Sequence, residues 1–228
     1  NKDCALAKIS TDVFTIKNSA LADAVQMKVV LSRSAADVTS PEVRQIAMSF
    51  TGGTMQAQYT ETALDEIPAK KFNPAPGYCQ TGRSEIGGSM CSPTTVSVML
   101  NSRNPQLNII PEALANATED NSASSYSFGN WSFCASIPGL YGYDCYMQYA
   151  SKEIMLQELA QGRTMGISVA YSKAEGGSYP YLQNAYSNTG GHLISIIGYE
   201  YEDGIMDDEH LYFISSDSYS SSAADLRD

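Results

Sequence analysis

One of the five cysteines in this 228-residue chain stands where a thiol can act as a nucleophile. Cys91 follows the loop-forming pair Gly87-Gly88 and precedes Ser92-Pro93, a sequence typical of the start of a helix. Free backbone N–H groups and the positive end of the helix dipole stabilise a thiolate there, and the thiolate is the nucleophilic form of cysteine. A small buried cysteine with no chemical role also suits this position.

A nucleophilic thiol needs a base, and the chain contains two histidines. His192 follows two glycines and begins an apolar stretch, residues 193–199, which places a polar side chain at the mouth of a buried strand. His210 follows an acidic turn, residues 206–209, and is expected to be a solvated surface histidine. A cysteine followed by a histidine about 100 residues later is the order found in papain-like peptidases.

The elements that must position these residues differ along the chain. Residues 1–66 are predicted to be β-rich, with β-branched and partly alternating stretches at 13–16, 25–31 and 43–50. Residues 67–77 contain three prolines and are predicted to be a linker.

Residues 78–228 change to a helix-and-strand pattern. A helix is expected at 151–161, with a Ser cap and a terminating Gly162, and strands at 164–171, 192–201 and 210–216. Helices followed by strands, without regular alternation of the two, indicate an α+β fold.

Composition excludes several classes of function. The 14 basic and 25 acidic residues give a net charge of −11, which argues against nucleic acid or an anionic membrane as a partner. No apolar run approaches the roughly 20 residues that span a bilayer. The sequence lacks C-x-x-C pairs, a phosphate loop and a serine elbow, and its acidic cluster at 203–209 lacks the spacing of a calcium loop. We therefore expect no metal and no cofactor.

Four segments together resemble the C39-like cysteine peptidase family. They are residues 90–100 with the upstream Gln80, residues 129–133, residues 169–171 and residues 190–199, and the resemblance covers roughly residues 78–220. It implies a papain-like α+β domain in which Cys91 is the nucleophile and His192 the general base. Asp217 takes the place of the family's acid, although the proline that usually follows is missing, and Gln80 supplies an oxyanion donor. A β-rich region before the domain also fits the family.

The resemblance implies a thiol-dependent hydrolase acting on a peptide or protein. Two alternatives stay open: an amidase or acyltransferase with the same triad, and a non-catalytic binding module that uses the β region and the tyrosine-rich segments 141–146 and 179–181. The low content of charged residues, 17%, and the many Ser, Tyr and Asn residues suit a secreted or cell-surface bacterial protein. We expect any signal peptide to lie outside this chain.

The odd number of cysteines predicts one thiol outside any disulfide. Cys134 and Cys145 flank a turn-forming segment and are predicted to form a short disulfide, with Cys4 and Cys79 as a second pair. Cys91 would then stay free, as a nucleophile must. The alternative is that all five cysteines are reduced, as in a cytosolic protein.

Overall fold

The computed structural model describes residues 4–10, 13–17, 20–50, 67–83, 85–119, 128, 130–183, 185 and 187–219. The chain divides into two compact units, Asn1–Ala47 and Met48–Asp228. Residues 51–66 of the predicted β-rich region and residues 220–228 lie outside the described residues. The division into a domain over residues 1–66 and a second from residue 78 stays a prediction.

The described residues of the first unit include two paired β-strands. Strands β1 (Ala7–Ser10) and β2 (Val13–Ile16) pair antiparallel, with Ala7 opposite Ile16. The strand predicted at 13–16 is confirmed. The strands predicted at 25–31 and 43–50 are wrong, since neither stretch forms a strand among the described residues. Their β-branched side chains favour an extended chain, but a strand also needs a hydrogen-bonded neighbour, and Val30 is 71% exposed.

The second unit is built on a four-stranded antiparallel sheet. Its strands are β3 (Lys70–Phe72), β4 (Met165–Tyr171), β5 (Thr189–Tyr201) and β6 (Leu211–Ser216). β5 is central and pairs with each of the other three. The strands predicted at 164–171, 192–201 and 210–216 are confirmed. β3 lies in the segment predicted as a linker and adds an edge strand to the sheet.

Four α-helices accompany the sheet in the described part of this unit: α1 (Cys91–Arg103), α2 (Pro111–Thr118), α3 (Trp131–Ser136) and α4 (Lys152–Ala160). α4 confirms the predicted helix: the Ser151 hydroxyl accepts a hydrogen bond from the Ile154 N–H at 3.3 Å, and Gly162 follows with a φ of 82°. In α3, the Asn130 side chain caps the Phe133 N–H at 3.0 Å. Among the described residues no helix has the length and apolar character needed to cross a bilayer.

The packing of α1 against β5 positions the cysteine. Thr95, one turn into α1, donates its hydroxyl to the Leu193 carbonyl at 3.0 Å, and Ser195 donates back to the Thr95 carbonyl at 3.4 Å. A Cβ at Gly166 of β4 would lie 2.7 Å from the Thr95 methyl, so the helix approaches the sheet as closely as a glycine allows. The beginning of α1 is therefore held beside the beginning of β5.

The predicted disulfides are absent. All five cysteines are free thiols, so the pairs Cys134–Cys145 and Cys4–Cys79 predicted from the sequence are wrong. Cys134 is buried in α3, and its sulfur lies 3.6 Å from the Thr118 hydroxyl and 3.7 Å from the Phe128 carbonyl. Sequence spacing limits how far apart two cysteines lie but does not fix where their side chains point, and a disulfide needs both.

Candidate active site

Cys91 is the first residue of α1, as the sequence predicts. The first N–H groups of a helix have no intrahelical partner, so the helix presents hydrogen-bond donors and positive potential beside the thiol. The Cys91 side chain is half-buried and is accessible to solvent in part. This arrangement suits a thiol that must ionise and then meet a substrate.

His192 lies near the beginning of β5, and only 1% of its side chain is exposed. Its Nε2 is 2.8 Å from Oδ1 of Asp217, the residue that follows β6. The other ring nitrogen, Nδ1, has no hydrogen-bond partner in the described part of the chain. With Nε2 occupied by the carboxylate, Nδ1 is the nitrogen available to a thiol or a substrate.

Asp217 is held by two further donors. The Tyr219 N–H donates to Oδ1 at 2.8 Å, and the Tyr171 hydroxyl donates to Oδ2 at 3.3 Å. The Tyr219 ring also stacks on the His192 ring, with centroids 4.0 Å apart and planes 12° from parallel. Both oxygens of the carboxylate are therefore engaged, and Oδ1 is directed at the imidazole.

The thiol of Cys91 interacts with the imidazole of His192. Burial raises the pKa of Cys91, but hydrogen bonding to His192 and to the backbone of Leu193, together with the charge of the imidazolium, brings that pKa below its ordinary value. Among the described residues Nδ1 has no hydrogen-bond partner, so the interaction between the thiol and the imidazole falls short of a geometric hydrogen bond. A catalytic hydrogen bond that tightens only when substrate binds would have this property.

The pKa of the imidazole is raised in the same site. Burial opposes the charged form of His192, but hydrogen bonds to Asp217 and Cys91 and the charges of both raise its pKa to about 9. Burial also disfavours the charged form of Asp217, yet its hydrogen bonds to His192, the Tyr219 N–H and the Tyr171 hydroxyl lower the pKa of this carboxyl. The site therefore favours a thiolate, an imidazolium and a carboxylate together.

Gln80 joins the loop before the cysteine to the residue after the acid. It is fully buried, its Nε2 donates to the Gly87 carbonyl at 2.8 Å, and its Oε1 accepts a hydrogen bond from the Ser218 hydroxyl. The Gln80 N–H also donates to the Ser218 carbonyl at 2.8 Å. A Cβ at Gly87 would overlap the Gln80 carbonyl oxygen, so this loop requires glycine.

The second histidine is separate from this group. His210 is partly exposed, and its Nδ1 lies 2.7 Å from Oδ1 of Asp207, whose hydrogen bond raises the pKa of the ring. It caps an acidic turn at the surface, as the sequence indicates. In the described part of the chain, no group of three or more His, Cys, Asp or Glu side chains is arranged to hold a metal ion.

No role in the site was predicted from the sequence for Tyr171, Tyr219 or Ser218. Tyr171 is 46 residues from Asp217, and Ser218 is 138 residues from Gln80, so only the folded sheet brings each pair together. The position of Tyr219, two residues after the predicted acid, is the one signal in the sequence that could have drawn attention to it.

Comparison with models of protein families identifies the family of this chain. Residues 66–228, more than half of the chain, match the model of the Peptidase C39 like family. The chain belongs to this C39-like family. Its α+β fold, with the helix that begins at Cys91 packed on an antiparallel sheet after a small β region, is the papain-type fold expected from the resemblance. The family supports a cysteine peptidase-type hydrolase. A search of curated proteins found no match.

Proposed function

We propose that this protein hydrolyses peptide bonds through a Cys91–His192–Asp217 triad. One observation carries the proposal: His192 lies between the two other groups. Its Nε2 is hydrogen-bonded to Asp217, and the ring interacts with the Cys91 thiol. Its Nδ1 has no hydrogen-bond partner in the described residues and is available for proton transfer. A thiol, an imidazole and a carboxylate in this order are the parts of a cysteine hydrolase.

Each step of the reaction uses a group already in place. The Cys91 thiolate attacks the carbonyl carbon, and the imidazolium of His192 gives its Nδ1 proton to the leaving amine as the C–N bond breaks. The resulting thioester is attacked by water, from which His192 removes a proton. The acid product then leaves, and the thiolate and the imidazolium are restored. Asp217 keeps the ring oriented and stabilises its charge throughout.

Two donors are proposed for the negative oxygen of the tetrahedral intermediate. The backbone N–H of Cys91 stands at the beginning of α1, where helix N–H groups lack intrahelical partners. Gln80 Nε2 carries two hydrogens, and its bond to the Gly87 carbonyl uses one of them. Each donor of this kind is worth about 3 kcal/mol of transition-state stabilisation.

The proposal is tested with a proteome-derived peptide library, with new termini mapped by mass spectrometry. The unmodified chain is expected to cleave peptides, and Cys91→Ala and His192→Ala to lose that cleavage. Cys145→Ala is the matched control, because Cys145 is also a half-buried thiol but burial raises its pKa. Equal cleavage by Cys91→Ala and the unmodified chain would contradict the proposal.

The same library separates the other chemistries. Added hydroxylamine competes with water for the thioester, so an acyltransferase would give mainly the hydroxamate, whereas a hydrolase gives mainly the acid. A binding module would cleave nothing and leave Cys91 with the alkylation profile of an ordinary thiol.

A further inference from the structure

An exposed tyrosine lies beside the strand that carries His192. Tyr179, in the segment between β4 and β5, is 43% exposed. A Cβ built at Gly190 of β5 would lie 2.8 Å from the Tyr179 hydroxyl and 3.4 Å from its ring, so the tyrosine rests on a position without a side chain. Gly190 precedes His192 by two residues. The glycine therefore makes room for an aromatic ring next to the candidate site.

The backbone of the segment that carries Tyr179 is held by the buried Ser172, which follows β4. The Ser172 hydroxyl accepts a hydrogen bond from the Tyr179 N–H at 3.1 Å, and the Ser172 N–H donates to the Pro180 carbonyl at 2.8 Å. The Leu182 N–H donates to the Ser172 carbonyl at 2.9 Å. Three hydrogen bonds to one buried residue hold the backbone of residues 179–182, which carries this ring, before any ligand arrives. A backbone that is already ordered lowers the entropy lost on binding.

Gly190 lies two residues before His192 on β5, which places the Tyr179 ring near the candidate site. Two residues of a strand span about 7 Å, which places Gly190 within that distance of His192 along β5. A substrate in extended form covers about 3.5 Å per residue. The Tyr179 ring is therefore within reach of a substrate side chain up to three residues from the bond attacked by Cys91.

We propose that Tyr179 contacts the substrate and selects an aromatic or bulky apolar side chain close to the scissile bond. An accessible, pre-positioned aromatic ring gains most from a second ring or an aliphatic chain, through burial of apolar area and ring–ring contact. This inference rests on the proposed function, since it assigns the substrate preference of the same site.

Two alkylating reagents test it without needing a known substrate. Iodoacetamide and N-phenethyl iodoacetamide carry the same reactive group, and only the second adds an aromatic ring. The rate constants at Cys91 are measured by mass spectrometry, and their ratio is divided by the same ratio at Cys4, an exposed thiol of the same chain. We expect this normalised preference for the aromatic reagent to be at least tenfold in the unmodified protein.

Three variants and one control variant test whether the preference depends on Tyr179. Tyr179→Ala is expected to bring the preference to near one, and Tyr179→Phe to keep it. Gly190→Ala leaves the tyrosine in the chain but displaces its ring, and is expected to match Tyr179→Ala. Tyr212→Ala is the control, because Tyr212 is an exposed tyrosine of β6 opposite Glu200, at the other end of β5.

The outcomes separate the two proposals. No preference in the unmodified chain, or one that survives both Tyr179→Ala and Gly190→Ala, would overturn the role of Tyr179 and leave the hydrolase proposal standing. A slow iodoacetamide reaction at Cys91, typical of an ordinary thiol, would instead count against the hydrolase, while the ratio of the two reagents would still report on Tyr179.

Discussion

Removing the carboxylate of Asp217 should prevent the Cys91 thiol from ionising near pH 6. Asp217 is 2.8 Å from His192 Nε2, and this contact is the largest influence that favours the charged form of the buried ring. Asp217→Ala removes both the hydrogen bond and the negative charge, while the burial that opposes the imidazolium remains. Asp217→Asn removes the charge but keeps an oxygen that can accept from Nε2.

The magnitude follows from the pKa of His192. Its rise from 6.5 to about 9 corresponds to about 3 kcal/mol in favour of the imidazolium. Without Asp217 the pKa of His192 should fall to its ordinary value or below, so the ring is neutral at pH 7. Cys91 then loses the cation that offsets its burial, and its pKa should rise to the ordinary range or above. A thiol with a pKa of about 8.5 is only about 0.3% thiolate at pH 6.

The assay is the rate of iodoacetamide alkylation at Cys91 between pH 5 and 10. In the unmodified protein we expect the rate to be already high at pH 6. In Asp217→Ala it should be at least tenfold lower at pH 6 and should rise only above pH 8, with Asp217→Asn between the two. Cys4 in the same sample reports reagent and pH effects. An unchanged profile in Asp217→Ala would refute the view that this carboxylate sets the charge of the site.

Three further predictions concern the residues around the triad. Tyr171→Phe removes the hydroxyl that donates to Asp217 and should lower stability to denaturant by about 1 kcal/mol and turnover by up to about tenfold, leaving KM unchanged. Gly87→Ala should lower the free energy of unfolding by about 1–3 kcal/mol, because the new Cβ would overlap the Gln80 carbonyl oxygen. Gly88→Ala is the control and should have little effect, since no atom lies within 4 Å of its new Cβ. Equal losses in the two variants would contradict this. Gln80→Ala should slow peptide hydrolysis by about 10²–10³-fold. It should leave the rate of iodoacetamide alkylation at Cys91 nearly unchanged, because alkylation forms no oxyanion. A parallel loss of both rates would assign Gln80 a purely structural role.

The elements that the sequence predicts well are those with local signals. α4 carries its own cap at Ser151 and its own terminator at Gly162, and the strands at 165–171, 189–201 and 211–216 carry apolar side chains between turn residues. The stretches at 25–31 and 43–50 carry the same β-branched signal and still form no strand. The difference is the presence of a pairing neighbour, which a local pattern cannot reveal.

The candidate site was only partly predictable for the same reason. The helix start at Cys91 and the glycines before His192 are local features. The choice of Asp217 over the nearby Asp203, Asp207 and Asp208 depends on the register of β5 and β6, in which Ser216 lies opposite Ser195 and the next residue reaches His192. The contact of Tyr171 with Asp217 joins two strands that β5 separates in the sheet. The resemblance pointed to Asp217, but the contact with Tyr171 depends on the sheet topology and was not predicted.

The ionisation state of Cys91 tests the central claim most directly. The ultraviolet absorbance of a thiolate is measured against pH in the unmodified chain and in Cys91→Ser, and their difference isolates the one thiol from the other four. In the unmodified chain we predict that the thiolate absorbance of Cys91 is already present at pH 6 and disappears only in more acidic solution. In the His192→Ala variant, which keeps Cys91, we predict that this absorbance is absent at pH 6. A difference that appears only between pH 8 and 9, as for an ordinary thiol, would contradict the account.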